Sequence, residues 1–395
     1  VIPLELNVVE PLGKVIARPW ADVVTGMQVD SRRIEEGDLF VAVGGGEDFV
    51  EHALARGASA ALVPTDEFAA LAAIAGAVRD RSQARIVGIT GSTGKTSTKD
   101  ILYALCAPHR RTIANEGNYN TEIGVPLTIC RIEEDTEICI SELGMRGPGQ
   151  IAWLASFVRP DVAVITNIGP AHLEFLGSIE NIARAKAELL EALRPGGIAV
   201  VPDEPLLEAY LTRPDIVVKR VDTATPLPFE TSYTSKHQLQ NTRIAVAVAE
   251  CLELPLPERL SVEFSKFREE ERPLPGDGVL LNDCYNANPV SMRAALEHFV
   301  VRAGDRRRIA VLGDMLELGP GAPEYHREIR DLVRELGIEQ VIAVGELARE
   351  YDGEWVATAA EAAERLRAEL RPGDAVLVKG SLGVGLAVVA ENLGA

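Results

Sequence analysis

Apolar positions along this chain fall into short runs separated by polar, glycine- and proline-bearing stretches, and their spacing alternates between two periods. Near the start, "DLFVAV" (38 to 43) and "SAALVP" (59 to 64) read as strands, whereas "DFVEHALARGA" and "EFAALAAIAGAVRD" carry helical spacing. These runs predict a small α/β domain over residues 1–83. From residue 84 the strands become almost wholly apolar: Ile86 to Ile89, "EICISEL", "DVAVITNIG" and "GIAVVPD" have the composition of strands buried on both faces of a parallel sheet, with helices between them. The last helix of this central unit, "NTRIAVAVAECLEL", ends near residue 254, and the unit spans 84–265. After "LPLPERL" and the charged run "FREEERPLPGDG" the pattern restarts. "VLLND", "RIAVLGD", "QVIAVG" and "DAVLVKG" each precede a helix-like stretch, which predicts a doubly wound, Rossmann-like domain over 266–395 with ligand loops at the carboxyl ends of its strands. The expected fold is α/β in three domains, with the proline-bearing stretch around 254–275 as the hinge.

With 395 residues, 47% of them hydrophobic, the chain has material for several separate cores. Forty basic against 59 acidic residues leave a formal charge of −19, which repels nucleic acid and anionic membranes unless a basic patch intervenes, and no such patch is visible. Cys106, Cys130, Cys139, Cys251 and Cys284 stand singly, without a C-x-x-C pair, and read as buried thiols in a reducing cytosol. No run reaches bilayer length and "VIPLELNVVEPLG" lacks an export pattern, so a cytoplasmic protein without membrane insertion is expected.

The most informative stretch is "RIVGITGSTGKTSTKDILYAL" (85 to 105). It departs from the usual phosphate-loop spelling, because the position five before Gly94 is Ile89 and the glycine stands at Gly91. Its context is nevertheless the required one: a buried strand, then Gly91-Ser92-Thr93-Gly94-Lys95-Thr96-Ser97, then a helix with Ile101, Leu102 and Leu105 on one face. Gly91 and Gly94 let backbone N–H groups close around phosphate oxygens at a helix N-terminus. Lys95 is then placed to reach the β- and γ-phosphates and Thr96 to ligate Mg²⁺. The alternative is a glycine-rich turn with a surface lysine.

Other candidates are weaker on residue type alone. Glu142 ends "EICISE" and His172 follows "VAVITNIGPA"; a carboxylate and a neutral imidazole can complete a Mg²⁺ or Mn²⁺ shell, although a lone loop histidine is more often structural. Lys186, in "NIARAKAELL", reads as a solvated helical lysine. The asparagines of "NEGNYNTEIGVP" and "DCYNANP" are by default turn formers.

Taken in order, "DSRRIEEGDLFVAV", "GITGSTGKTSTK", "GNYNTEIGVPLT", "ELGMRGPGQI", "ITNIGPAHLEFLGSIENIARAKAEL", "HQLQN", "DCYNANPVSMRAAL", "VLGDMLELG" and "VLVKGS" resemble the Mur ligase family, from Asp30 to Ser381. The resemblance assigns Gly91 to that family's own loop spelling. It implies an ATP-dependent amide ligase of peptidoglycan synthesis that joins D-Ala-D-Ala to UDP-MurNAc-tripeptide through an acyl phosphate, and a monomer. It further implies that Lys95 contacts phosphate, that Thr96 and Glu142 serve Mg²⁺, and that His172 serves a second metal supported by a carbamylated Lys186. By the same resemblance Asn241, Asp314 and Lys379 face the nucleotide, together with Arg268 or Arg272, spacing favouring Arg268. Asp30, Ser31 and Arg32 lie in the UDP-sugar motif, Asn118 and Asn120 in a substrate loop, and Asn286, Asn288 and Pro289 near the amine. Three departures stand out: only about thirty residues separate "VVPDE" from "KHQLQN", so the central domain is expected to be trimmed; the first-domain "DGH" word is cut down at Asp48-Phe49; and Leu382 replaces the expected arginine. A sibling ligase with another acceptor or amine, or a faded nucleotide-binding homologue, are the alternatives.

Overall fold

The computed structural model describes residues 2–393. Its architecture is α/β, with three principal sheets. In the first, the strands run in the order Gly13–Ala17, Ala60–Pro64, Asp38–Val41, Gly26–Gln28. The two inner strands are the ones the apolar runs predict. Of the outer two, Gly13–Ala17 is nowhere fully buried and includes a lysine, and Gly26–Gln28 has only three residues, which hid them from that reading. Helix Glu67–Arg81 buries Leu71, Ile74 and Val78 in the same hydrophobic cluster as Ile86, Ile129 and Phe157 of the central unit. The first segment therefore shares a core with its neighbour on this face, while Ile34, Phe40, Val50 and Ala61 form a smaller cluster of its own on the other.

The central sheet is six-stranded and parallel, in the order Val217–Val221, Ile198–Pro202, Val162–Ile165, Arg85–Thr90, Ile138–Glu142, Thr112–Ala114. Alternate side chains of its middle strand face opposite ways: Ile86 enters one apolar cluster, Val87 and Ile89 the other. That two-sided burial is why the strand reads as an unbroken apolar run. Helix Lys95–Cys106 packs Ile101, Leu102 and Leu105 with Ile244 and Val248 of helix Lys236–Cys251. This second helix starts five residues before the "NTRIAVAVAECLEL" run, because Ser235 caps it. The region expected to be trimmed holds a short 3₁₀ turn, the edge strand Val217–Val221 and a two-residue ladder, Glu230–Thr231 against Arg259–Leu260.

The third sheet runs Glu270–Leu274, Gly278–Asn282, Ala375–Lys379, Arg308–Gly313, Gln340–Val344, Glu354–Val356, with only the first strand antiparallel. That first strand is the charged run "FREEERPLPGDG"; Pro273 is tolerated because the strand lies at the sheet edge. Among the described residues no helix is long and apolar enough to cross a membrane. The five cysteines are free; four are buried, whereas Cys251 is half-buried, contrary to the expectation for all five.

Candidate functional site

In the central sheet three neighbouring strands, Val162–Ile165, Arg85–Thr90 and Ile138–Glu142, deliver their carboxyl ends side by side, where open parallel sheets place ligands. From the middle strand the chain enters the Gly91–Ser97 loop. A Cβ at Gly91 would lie 1.9 Å from Thr166 Oγ1 and 3.1 Å from Thr166 N, and one at Gly94 (φ +77°) would lie 2.5 Å from Asn241 Oδ1. Both glycines are thus dictated by close approach of the loop to its neighbours. The loop is held from the adjacent strand end: Thr93 N donates to Asn167 Oδ1 at 2.8 Å, Ser92 N to Asn167 O at 3.1 Å, and Ser92 Oγ to Gly169 O at 2.9 Å. Gly91→Ala is expected to displace the loop and weaken ATP binding at least about tenfold, a strain of order 1–3 kcal/mol; calorimetric titration with ATP checks it, and unchanged affinity would show the loop has room to spare.

Lys95 Nζ donates to Gly91 O at 2.8 Å, folding the ammonium back over the loop mouth. Burial holds its pKa below the ordinary lysine value; Glu142 opposes that shift and Arg268 adds to it. Thr96 Oγ1 donates to Glu142 Oε2 at 2.9 Å, and Asn120 Nδ2 to Glu142 Oε1 at 2.7 Å. The backbone of Glu142 is clamped by Asn115, whose Oδ1 accepts from Glu142 N at 2.6 Å and whose Nδ2 donates to Glu142 O at 3.2 Å. Lys99 in turn donates to Asn115 O at 3.0 Å. Sequence reasoning missed Asn115, Thr166 and Asn167, although they lie within two residues of a strand's carboxyl end, the position that singled out Glu142.

His172 Nδ1 sits 2.5 Å from Glu317 Oε2. Burial and then Lys95 press its pKa down to about 4, against the pull of Glu317, so the imidazole is neutral at neutral pH and able to ligate a metal. Lys186 is 1% exposed and has no hydrogen-bond or ion-pair partner among the described residues. Burial first, and Lys95 second, hold its pKa well below the usual lysine range.

Facing these groups is the third sheet. Lys379 Nζ donates to Asp283 Oδ2 at 2.5 Å and to Asn286 O at 3.0 Å. Arg268 stacks over the Tyr285 ring at 4.0 Å and has no carboxylate partner among the described residues. Arg272 instead pairs with Glu270 at 2.8 Å and does not line the cavity, so of the two arginines only Arg268 faces it. Asn288 spends its side chain capping helix Pro289–Ala303, accepting from Ser291 N at 2.9 Å. Lys95, Glu142, His172, Lys186, Arg268 and Lys379 all line one cavity of about 1050 Å³, as do Asn118, Asn120, Asn241, Asn286 and Asn288.

Three expected groups stand elsewhere, the first being Pro289, which is buried as the opening residue of helix Pro289–Ala303 and does not line the cavity. Asp314 turns from the cavity to accept from Ala348 N at 2.7 Å, and burial raises its pKa. Asp30, next to the cavity-lining Val29, caps the 3₁₀ turn Ser31–Arg33; Arg32 N and its guanidinium both engage Asp30, and Ser31 Oγ lies 2.9 Å from His52 Nδ1. Their polar groups are satisfied locally, so the cavity does not draw them in.

No three His, Cys, Asp or Glu side chains among the described residues converge as a metal cage. The donor set of Thr96 and Glu142 still suits Mg²⁺, which takes one or two protein oxygens and fills its shell with water and substrate phosphates. A second ion beside His172 fits only if Lys186 carries an acid group, since an ammonium there would repel it.

A family model described as Mur ligase middle domain matches residues 89–246, and one described as Mur ligase, glutamate ligase domain matches residues 269–382. The UDP-N-acetylmuramoyl-tripeptide–D-alanyl-D-alanine ligase of Bacillus subtilis is 31% identical over an alignment of 449 residues that takes in 98% of this chain and 97% of that protein. That alignment is longer than the 395-residue chain, so the relative carries segments absent here. Among solved structures, MurF from Acinetobacter baumannii superposes with a TM-score of 0.85 at 25% identity, covering 99% and 98% of the two chains. MurF ligase from Thermotoga maritima in complex with ADP gives 0.82 at 27% identity, covering 94% and 97%.

Proposed function

The chain belongs to the Mur ligase family, and on that premise we propose that it joins D-Ala-D-Ala to UDP-MurNAc-tripeptide at the expense of ATP, in peptidoglycan precursor synthesis. The observation that carries the reading is the single cavity in which the Gly91–Lys95 loop faces Arg268, Lys379 and Asn286 of the third sheet. A carboxylate resists attack by an amine until one of its oxygens becomes a phosphate leaving group. The loop amides and Lys95 hold the phosphoryl group being transferred to the peptide carboxylate, and Arg268 supplies positive charge from the opposite wall. Arg268 thereby offsets the cation missing at Leu382, which lines the same cavity and is 53% exposed. The amine of D-Ala-D-Ala then attacks the acyl phosphate from the side of Asn286 and Asn288, releasing phosphate. Thr96 and Glu142 would hold Mg²⁺, which supplies charge neutralisation at the phosphates when bound.

Lys186 fits a modification that consumes a neutral amine: carbamylation forms a bond from Nζ to the carbon of CO₂ and releases a proton. A buried, unpaired lysine whose pKa is held down gives up its proton to reach that form more readily than an exposed one. The product is an anion beside Lys95, in place of a second cation. Asp30, Ser31, Arg32, Asn118 and Asn120 are assigned to the UDP-sugar and peptide side, and Asn241 to the adenine side of the loop. Asp314 would join the nucleotide only through a rearrangement of its turn.

The assignment is tested by combining ATP, UDP-MurNAc-tripeptide, D-Ala-D-Ala and Mg²⁺, and following phosphate release and product mass. Phosphate is expected only when all four are present, with a product carrying both D-alanines. Turnover with free diamino acids but none with D-Ala-D-Ala would move the chain to a sibling activity.

A further inference from the structure

Glu317 stands on the loop after strand Arg308–Gly313, 145 residues from His172 in the chain, yet the two side chains meet across the junction of the second and third sheets. Its Oε2 lies 2.5 Å from His172 Nδ1, and its Oε1 lies 3.1 Å from Arg146 Nε. The backbone joins the same contact, since Glu174 N donates to Glu317 O at 3.1 Å. Both partners are held in the left-handed region, His172 at φ +58° and Glu317 at φ +63°, where residues with side chains seldom settle unless their surroundings compel it. Close approach continues beyond them: a Cβ on Gly319 would lie 3.2 Å from Glu174 Cα, and Leu173 packs against the apolar core of the third sheet.

We propose that Glu317 is a positioning residue through which the docked C-terminal domain orients the His172 imidazole for the second metal ion, so that the ion's site is complete only when the domains meet. The proposal rests on the reading of His172 as a metal-side residue. Pairing with the carboxylate assigns the ring proton to Nδ1 and leaves the Nε2 lone pair free. Such a carboxylate partner also fixes ring orientation and raises ligand basicity. Arg146 holds the other oxygen, so the carboxylate does not swing away. Because Glu317 and His172 belong to different domains, separation of those domains releases the imidazole to rotate.

The test is a titration with Mn²⁺ in the presence of a non-hydrolysable ATP analogue, followed by electron paramagnetic resonance, on the full chain and on His172→Ala, Glu317→Ala and Glu317→Gln. The unmodified protein is expected to show a manganese site that His172→Ala removes. Glu317→Ala weakens that site about 10- to 100-fold. Glu317→Gln weakens it less, since the amide oxygen still accepts the Nδ1 proton while the charge is gone, and its cooperative melting is retained. If both Glu317 variants titrate like the unmodified protein while His172→Ala does not, Glu317 is a packing contact and the proposal is overturned. If the unmodified protein has no site sensitive to His172, the metal reading itself fails, and this proposal with it.

Discussion

Lys95→Ala is expected to lower kcat for amide formation by about 10³-fold, the scale of losing a charge-stabilising group at a reacting centre, while the protein stays folded. The two halves of that expectation have separate causes. Stability changes little because the Lys95 side chain makes one protein hydrogen bond, to Gly91 O, and leaves the buried face of its helix to Ile101, Leu102 and Leu105. Activity falls because the ammonium sits at the mouth of the loop, where charge shifts between ATP and the acceptor carboxylate. There is little else to take its place, since Lys379 is already engaged by Asp283 and Asn286, and Arg268 is stacked on Tyr285 at the far wall. The loss should fall on kcat more than on the KM for ATP, because loop amides and the adenine-side contacts near Asn241 persist. Lys95→Arg is not expected to rescue, as a planar guanidinium cannot fold back onto Gly91 O in the space of a point-like ammonium. Steady-state kinetics paired with thermal melting decides the matter: full-rate turnover in a folded Lys95→Ala protein would remove the loop from the chemistry and the ligase reading with it.

How much of this site could be read before folding depended on whether a residue's role is local. The Gly91–Ser97 loop, Glu142 and the four parallel strand runs of the third sheet were legible because each depends on neighbours in sequence: an apolar strand, a tight turn, a helix start. Edge strands were not. Gly13–Ala17, Val217–Val221 and Glu270–Leu274 mix polar and apolar residues, since an edge strand has one neighbour and more solvent. Groups that act across distance were also hidden. Lys186 looks like any helical lysine until the fold buries it without a partner, and Glu317, although it lies within "VLGDMLELG", gives no hint of its partner until the third sheet docks against His172. Asp314 shows the opposite case. It follows an apolar strand as the rule for ligand loops requires, yet its carboxylate turns away to accept from Ala348 N. The shared core under helix Glu67–Arg81 likewise could not be seen from periodicity, which reports that a face is apolar but not what it meets.

Lys186→Met is expected to do two things at once: remove activity by about 10²-fold or more, as losing support at a metal site does, and raise the melting temperature. The stability gain follows from the burial of an amine that has no partner and lies near a second cation. A lysine whose folded pKa lies below its unfolded value costs stability at every pH below the unfolded value. Below the folded pKa that cost is full; as pH climbs from there toward the ordinary lysine range, the unfolded chain also gives up its proton and the cost fades. Methionine fills a similar volume without charge and avoids the cost. The gap in melting temperature between Lys186→Met and the unmodified protein should therefore be widest at the acid end of the range over which the protein stays folded and should shrink steadily toward pH 10. Carbamylation adds a second handle, because converting the amine to an anion next to Lys95 replaces repulsion with attraction. Added bicarbonate should narrow the same gap by stabilising the unmodified protein while leaving the methionine variant where it was, and should raise the activity of the unmodified protein alone. Lys186→Glu carries a permanent acid group on a shorter stem and is expected to keep more activity than Lys186→Met. Thermal melting across pH with and without bicarbonate, alongside phosphate release, separates these effects. A methionine variant that turns over normally would place Lys186 outside the metal site. One that melts lower than the unmodified protein at neutral pH would mean the amine is not an unpaired buried charge.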